Sequence, residues 1–120
     1  MHEASLCDAL FDQVDASIAV HPGAIVREVH VAIGALAGVD PELFQIAFHT
    51  LRGDRHPAAI LTVTHVPATW RCPTCDHVHQ PNTPLTCPGC ESPLTLTAGG
   101  DLTLLRIELE LQDPQESSHV

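Results

Sequence analysis

The chain has 120 residues and a formal net charge of −10, with fifteen carboxylates against five arginines and no lysine. This length accommodates one small hydrophobic core and a metal-stabilised appendage, but it is too short for two full hydrophobic domains. The negative charge argues against nucleic-acid binding, which requires a basic surface. No apolar run approaches the roughly 20 residues that a membrane-spanning helix needs.

The amino-terminal part predicts an amphipathic helix followed by a strand. Residues 4–19 place apolar side chains four positions apart, which is the spacing of one helical face. His21-Pro22-Gly23 then interrupts the helical pattern. Residues 25–33 alternate apolar with polar side chains, which predicts a half-buried strand.

A second helix is predicted from Asp40-Pro41-Glu42. These residues supply an N-cap, a proline suited to the first turn, and a carboxylate at the positive helix end. Apolar residues follow at helical spacing: Phe44, Ala47, Phe48 and Leu51. Residues 52–57 are polar and predict a loop.

Two further strands are predicted. The first runs from Ala59 to about Val66, and the second contains Leu105, Ile107, Leu109 and Leu111 on one face. The dipeptide Leu104-Leu105 indicates a slip of phase or a bulge. Because the last strand cannot stand alone, we expect it to pair with the first two and leave residues 68–99 as an insertion. The expected fold class is α+β, with a three-stranded sheet, two helices and a small metal-binding lobe.

Four cysteines in two Cys-x-x-Cys motifs, Cys72 with Cys75 and Cys87 with Cys90, form the strongest motif. Four thiolates from two such knuckles make the tetrahedral, all-sulfur site that zinc favours. The surrounding segment is rich in proline and poor in apolar residues, so that metal binding must substitute for a hydrophobic core. A rubredoxin-like iron centre would use the same sulfurs, and two disulfides are the other alternative.

The amino terminus is a second candidate metal site. Met1-His2-Glu3 brings an amine, a backbone amide, an imidazole and a carboxylate together within three residues. Once the amine and the imidazole hold a divalent ion, the intervening backbone nitrogen can complete the planar, nitrogen-rich set that Ni(II) and Cu(II) prefer. Taken alone, this motif is also compatible with an ordinary exposed terminus.

Several segments together resemble the HypA/HybF family of hydrogenase-maturation nickel metallochaperones. The resemblance runs from Met1 to about Leu111. Its segments are Met1-His2-Glu3, Ser5-Leu6, Ile33 to Val39, Ala47-Phe48, Val66-Pro67, Trp70 before the first knuckle, both knuckles, and Ile107 to Glu110.

The resemblance implies a nickel site at the amino terminus, with His2 and the Met1 amine as ligands and Glu3 as a supporting carboxylate. It also implies a structural zinc ion bound by the four cysteines, a GTPase partner, and delivery of nickel to the large subunit of [NiFe]-hydrogenase. The nickel-binding domain would comprise residues 1–67 and 100–112, the zinc-binding domain 68–99, and a flexible tail 113–120.

This sequence departs from the family at one position beside the knuckles. Some relatives place a histidine after each knuckle, whereas here His77 follows the first and Glu91 follows the second. Exchange of thiolates for imidazoles at the zinc site is therefore not expected. His77 and His79 lie close enough to the first knuckle to contact a thiolate, and Cys7 is expected to be a small buried apolar residue.

The sequence shows neither a nucleophile paired with a base nor a glycine-rich phosphate loop. We therefore expect no enzymatic activity. We expect a cytoplasmic protein, since no signal segment is visible at the start of the sequence. Both monomer and homodimer remain open. The alternative function is a zinc-ribbon module that bridges two proteins without transporting metal.

Overall fold

The computed structural model describes residues 2–79 and 86–111. Its elements are α1 (His2–Ser17), β1 (Ile25–Gly34), α2 (Pro41–Leu51), β2 (Ile60–Val66), β3 (Thr69–Arg71), β4 (Val78–His79), β5 (Thr95–Ala98) and β6 (Leu102–Glu110). One sheet has the strand order β2-β1-β6, and a second has the order β4-β3-β5. The expected α+β fold, with a three-stranded sheet, two helices and a cysteine-rich lobe between β2 and β6, is confirmed.

The described residues fall into two compact units. The first contains 2–31, 40–62 and 104–111, and the second contains 32–39, 63–79 and 86–103. Neither helix of the part that the structure describes has the length and apolar character needed to cross a membrane. The predicted tail, 113–120, lies outside the described residues.

The core of the first unit lies between the two helices and strands β1 and β2. All three phenylalanines of the chain are fully buried there, and the rings of Phe11 and Phe48 lie 5.0 Å apart in a stacked arrangement. Cys7 is also fully buried, as the sequence predicted. Burial of apolar area of this kind is the main favourable contribution to folding.

The predicted bounds of the first helix, residues 4–19, are wrong at both ends. The helix begins at His2 and ends at Ser17. Beyond Ser17 the backbone tightens, because Ala19 bonds back to Ala16 over three residues, and the chain then turns through Gly23 at a φ of 82°. The N–H of Ile18 still donates to the carbonyl of Val14 at 3.0 Å, so the chain leaves the helix just after this half-buried residue.

The last strand shows the expected change of phase. Leu104, Ile107 and Leu109 are half-buried, whereas Leu105 is 52% exposed. The assignment of Leu105 to the same face as Ile107 is therefore wrong, and the covered face changes between Leu104 and Ile107. Leu111, assigned to that face as well, is 59% exposed and follows the end of β6 at Glu110. A change of phase is the feature that two adjacent leucines in an otherwise alternating strand predict.

Two segments of the second unit, 34–36 and 99–101, meet at Gly34 and Gly99. The backbone N–H of Gly34 donates to the carbonyl of Asp101 at 2.9 Å, and that of Leu36 donates to Gly99 at 2.8 Å. A Cβ on Gly34 would lie 2.2 Å from the carbonyl carbon of Gly99. Glycine is required here because two backbone segments approach more closely than side chains allow.

Candidate metal centre

The Sγ atoms of Cys72, Cys75, Cys87 and Cys90 all lie within 4.8 Å of one another. A tetrahedral zinc ion with Zn–S bonds of about 2.3 Å separates its sulfur ligands by about 3.8 Å. The four sulfurs therefore fit a single ion of this size. All five cysteines of the chain are free thiols in the structure, which does not support the disulfide alternative.

The first knuckle is a tight backbone turn around Cys72. Its N–H donates to the carbonyl of His77 at 3.0 Å, and its carbonyl accepts from the N–H of Asp76 at 2.7 Å. The N–H of Cys75 points to the Cys72 sulfur at 3.3 Å. Asp76 has a φ of 63°, in the left-handed region, and its carboxylate pairs with Arg71. The turn directs both sulfurs to one side.

The second knuckle repeats this geometry. The N–H of Cys87 donates to the carbonyl of Ser92 at 2.8 Å, and the Cys87 carbonyl accepts from Glu91 at 2.7 Å. Glu91, with a φ of 61°, occupies the position that Asp76 has in the first knuckle. Left-handed backbone is unfavourable for residues with a Cβ. Its occurrence at the same position in both knuckles shows that the two turns share one backbone geometry.

Hydrogen bonds in and beside the thiol cluster shift the pKa values of Cys90 and Cys75 in opposite directions. A hydrogen bond with the Ser92 hydroxyl, whose oxygen lies 3.2 Å from the Cys90 sulfur, lowers the pKa of Cys90 to about 6. A hydrogen bond with Cys90, together with burial, raises the pKa of Cys75 to about 12. Four adjacent sulfurs cannot all ionise without a cation between them, and metal binding removes this conflict.

The described residues contain no other group of three or more cysteine, histidine or carboxylate side chains that could hold a metal ion. His77 and His79 are not part of the thiol cluster; their rings lie 6.4 Å apart, edge to face.

Strand β3 of the second sheet carries Trp70 and leads directly into the first knuckle. Trp70 pairs with His79 on β4 and with Leu96 on β5. The small sheet thus holds the knuckle at its base.

At the amino terminus, the structure describes His2 and Glu3, while Met1 lies outside the described residues. Helix α1 begins at His2, which is exposed. The first N–H groups of a helix have no intrahelical partner, so the backbone nitrogens of this turn are not committed to the helix. An exposed imidazole beside such nitrogens is chemically suited to a chelating metal site.

Glu3 is held in place by a residue that the sequence did not link to it. Its Oε2 accepts a hydrogen bond from the backbone N–H of Asp40 at 3.2 Å, and this bond lowers the pKa of Glu3 below its ordinary value. The Asp40 side chain accepts from Glu42 and Leu43, as the predicted N-cap should. A contact across 37 residues leaves no signal in a single sequence.

Comparison with known proteins places these features in a family. The family described as hydrogenase/urease nickel incorporation, metallochaperone, hypA matches residues 1–109. A hydrogenase maturation factor HypA from Helicobacter hepaticus is 33% identical over 117 residues, covering 93% of this chain and 99% of its own. One from Shewanella baltica is 32% identical over 117 residues, covering 94% and 99%.

Solved structures give the same result. The solution structure of the Ni metallochaperone HypA from Helicobacter pylori aligns with a TM-score of 0.69 and 26% identity, covering 92% of this chain and 98% of its own. A second solution structure of a HypA protein aligns with a TM-score of 0.68 and 28% identity, covering 93% and 98%.

Proposed function

We propose that this chain, which belongs to the HypA family of nickel-incorporation metallochaperones, carries Ni(II) at its amino terminus and delivers it during maturation of [NiFe]-hydrogenase. Nickel is the cargo in this scheme. A zinc ion bound by Cys72, Cys75, Cys87 and Cys90 has a structural role. The observation that carries the proposal is the family match over residues 1–109, which includes both the amino-terminal motif and the two knuckles.

The proposed nickel ligands are the Met1 amine, the His2 imidazole and the backbone nitrogen between them. Glu3 is a supporting carboxylate that orients the terminus. Two features support this assignment: α1 begins at His2, so that the nitrogens of its first turn lack helical partners, and Glu3 is bonded to Asp40. Planar nitrogen donors favour Ni(II) over Zn(II), whose preferred geometry is tetrahedral.

The zinc assignment rests on the donor set and on the spacing of the sulfurs. Four thiolates leave no open coordination position, so the ion would stabilise the lobe rather than catalyse a reaction. The same donors can bind iron in a rubredoxin-like centre, and a metal analysis of the purified protein, together with its colour, distinguishes the two ions.

Nickel release would occur by ligand exchange with a partner. His2 is exposed, and a site with few donors at a chain end gives up its ion when a partner offers a better set. The proposed partners are the GTPase of the hydrogenase maturation system and the hydrogenase large subunit, both in the cytoplasm. Residues 1–67 and 100–112 would form the nickel-binding domain and 68–99 the zinc-binding domain.

The test is nickel titration by calorimetry and visible absorption on tag-free, zinc-loaded protein. His2→Ala, and a form with one extra residue before Met1, should each abolish the single site and its planar-type absorption band. The matched control is His21→Ala, since His21 is also exposed but lies beyond α1. If all four proteins bind nickel equally, the site lies elsewhere and the bridging-module alternative gains support.

A further inference from the structure

Helix α2 carries two large apolar side chains on its outer face. Leu43 is 51% exposed and Ile46 is 58% exposed, while Phe44 and Phe48 on the inner face are fully buried. Residues three apart on a helix lie next to each other, so the two exposed side chains form one surface, the Leu43–Ile46 patch. Adjacent exposed apolar groups on a small protein often mark an interaction site.

The patch lies on a rigid support. The Asp40 side chain caps the first turn of α2, Pro41 occupies that turn, and the N–H of Arg52 bonds the carbonyl of Phe48 at the other end. Both helix ends therefore have partners for their backbone groups, and the buried phenylalanines fix the helix to the core. A surface that is already ordered loses little conformational entropy when a partner binds.

The charges beside the patch indicate what kind of partner fits. Asp40 and Glu42 lie at the same end of α2, both exposed. Among the residues that the structure describes, neither carboxylate forms an ion pair with an arginine or histidine. The Asp40 carboxylate accepts the N–H groups of Glu42 and Leu43, whereas the Glu42 carboxylate is exposed at the rim of the apolar surface. Negative charge at such a rim favours a partner that carries lysine or arginine around apolar side chains.

A second copy of this chain is a poor occupant. Each copy carries a net charge of −10, and two copies would repel each other. Pairing of sheet edges is also obstructed beside α2: β2 is an outer strand, and the side chains of Arg52 and Gln45 reach the carbonyls of Ala59 and Leu61. These bonds occupy two carbonyls at the start of β2, which hinders the addition of another strand at that point.

We infer that the Leu43–Ile46 patch is the docking site for a basic, partly apolar segment of another protein. The inference rests on the proposed function for the identity of that protein, which would be the one that exchanges nickel. Asp40, next to the patch along α2, holds Glu3 through its backbone N–H. A partner bound to the patch therefore lies close to the proposed nickel ligands, where a ligand exchange could begin.

The test measures binding of nickel-loaded full-length protein to the purified maturation GTPase and, separately, to the purified hydrogenase large subunit. Replacing both Leu43 and Ile46 by serine should weaken binding to at least one partner about tenfold or more, as expected for central apolar contacts. Ile60→Ser is the matched control, because Ile60 is 54% exposed but lies on β2. It should bind like the unmodified chain.

The contribution of negative charge to binding is tested by comparing Glu42→Gln with Asp8→Asn. Asp8 is the control because its carboxylate is also exposed but lies on α1. Only Glu42→Gln should weaken binding and reduce its sensitivity to salt. Circular dichroism and nickel titration of every variant show whether the fold and the metal site are intact, which separates failure of this inference from failure of the nickel assignment.

Three results would overturn the inference: equal binding of the double variant and the unmodified chain, an equal loss with Ile60→Ser, or no binding of either partner to the unmodified chain. Sedimentation adds a fourth, because a dimer that the double variant converts to monomer would make the patch a contact between copies.

Discussion

The carboxylate of Glu3 accepts a hydrogen bond from the backbone N–H of Asp40, and this contact joins the first turn of α1 to the N-cap of α2. Two other contacts between the helices have the same separation of 37 residues: Cys7 with Phe44, and Phe11 with Phe48. The helices therefore lie side by side, run in the same direction and stay in register. A change in the amino-terminal turn reaches the start of α2 directly.

The role of this contact in nickel binding is tested with two substitutions of Glu3. Glu3→Ala removes the acceptor and should weaken nickel binding several-fold, because the first turn of α1 is then no longer held at the N-cap of α2. Glu3→Gln keeps an oxygen acceptor and should retain affinity close to that of the unmodified chain. Calorimetric titration of both variants measures the difference. Equal losses would instead indicate that the negative charge itself, or direct ligation, is what nickel requires.

Phe11 should dominate the stability of the first unit. Its ring is fully buried, stacks on Phe48 and lies under the guanidinium of Arg55 at 5.4 Å. Phe11→Ala should lower the free energy of unfolding by about 3–5 kcal/mol because it leaves a cavity in the core. Urea denaturation followed by circular dichroism measures this. Leu105→Ala, at an exposed position, is the control and should change stability by less than about 0.5 kcal/mol.

Metal removal should unfold the cysteine lobe and leave the helices in place. Trp70, the only tryptophan of the chain, lies in β3 at the base of the first knuckle and reports on this lobe. A strong chelator is needed, because structural zinc sites in small domains bind with about 10–16 kcal/mol. The tryptophan emission should shift while the helical ellipticity is retained. The emission of Cys75→Ser should resemble that of the chelated protein, and Cys7→Ala should keep its metal. A tryptophan emission that does not change on chelation would contradict the assignment of the metal to the cysteine lobe.

Cys7 should make stability depend on pH in the alkaline range. Burial, with smaller contributions from Asp8 and Glu3, raises the pKa of the Cys7 thiol to about 11 from an ordinary value of 9.0. The folded protein therefore keeps a proton that the unfolded chain loses, so stability falls as pH rises between about 9 and 11. Urea titrations of the metal-loaded protein across this range should show a steeper fall for the unmodified chain than for Cys7→Ala. Parallel curves would rule out this linkage.

The close approach of Gly34 and Gly99 should not tolerate a side chain. Gly34→Ala places a methyl group 2.2 Å from backbone atoms of Gly99, which must move apart. The expected loss of stability is about 1–3 kcal/mol or more, as for other overpacked sites. Gly89→Ala is the control, since the nearest atom to its Cβ would be the Cys87 sulfur at 3.8 Å, an ordinary contact. Thermal unfolding of the two metal-loaded variants compares them.

Local patterns in the sequence predicted most of the fold. The N-cap at Asp40 and the fully buried Phe44 and Phe48 agree with the structure, because capping and helical periodicity act over a few residues. The same approach placed the end of α1 two residues too late, because the apolar pattern continues to Ile18 whereas the regular helix ends at Ser17. It also failed for Leu105, whose face depends on how β6 packs and not on its neighbours in sequence.

The sequence by itself determined the motifs: two cysteine pairs with metal-ligand spacing, a candidate chelating group at Met1-His2-Glu3, and apolar repeats for two helices and three strands. These features depend on residues within a few positions of each other, where chain geometry limits the possible arrangements. Only the tertiary structure decided that the four sulfurs lie within reach of one ion, that Asp40 holds Glu3, and that Leu43 and Ile46 remain uncovered. Such contacts and exposures follow from packing between segments distant along the chain, which a single sequence does not record.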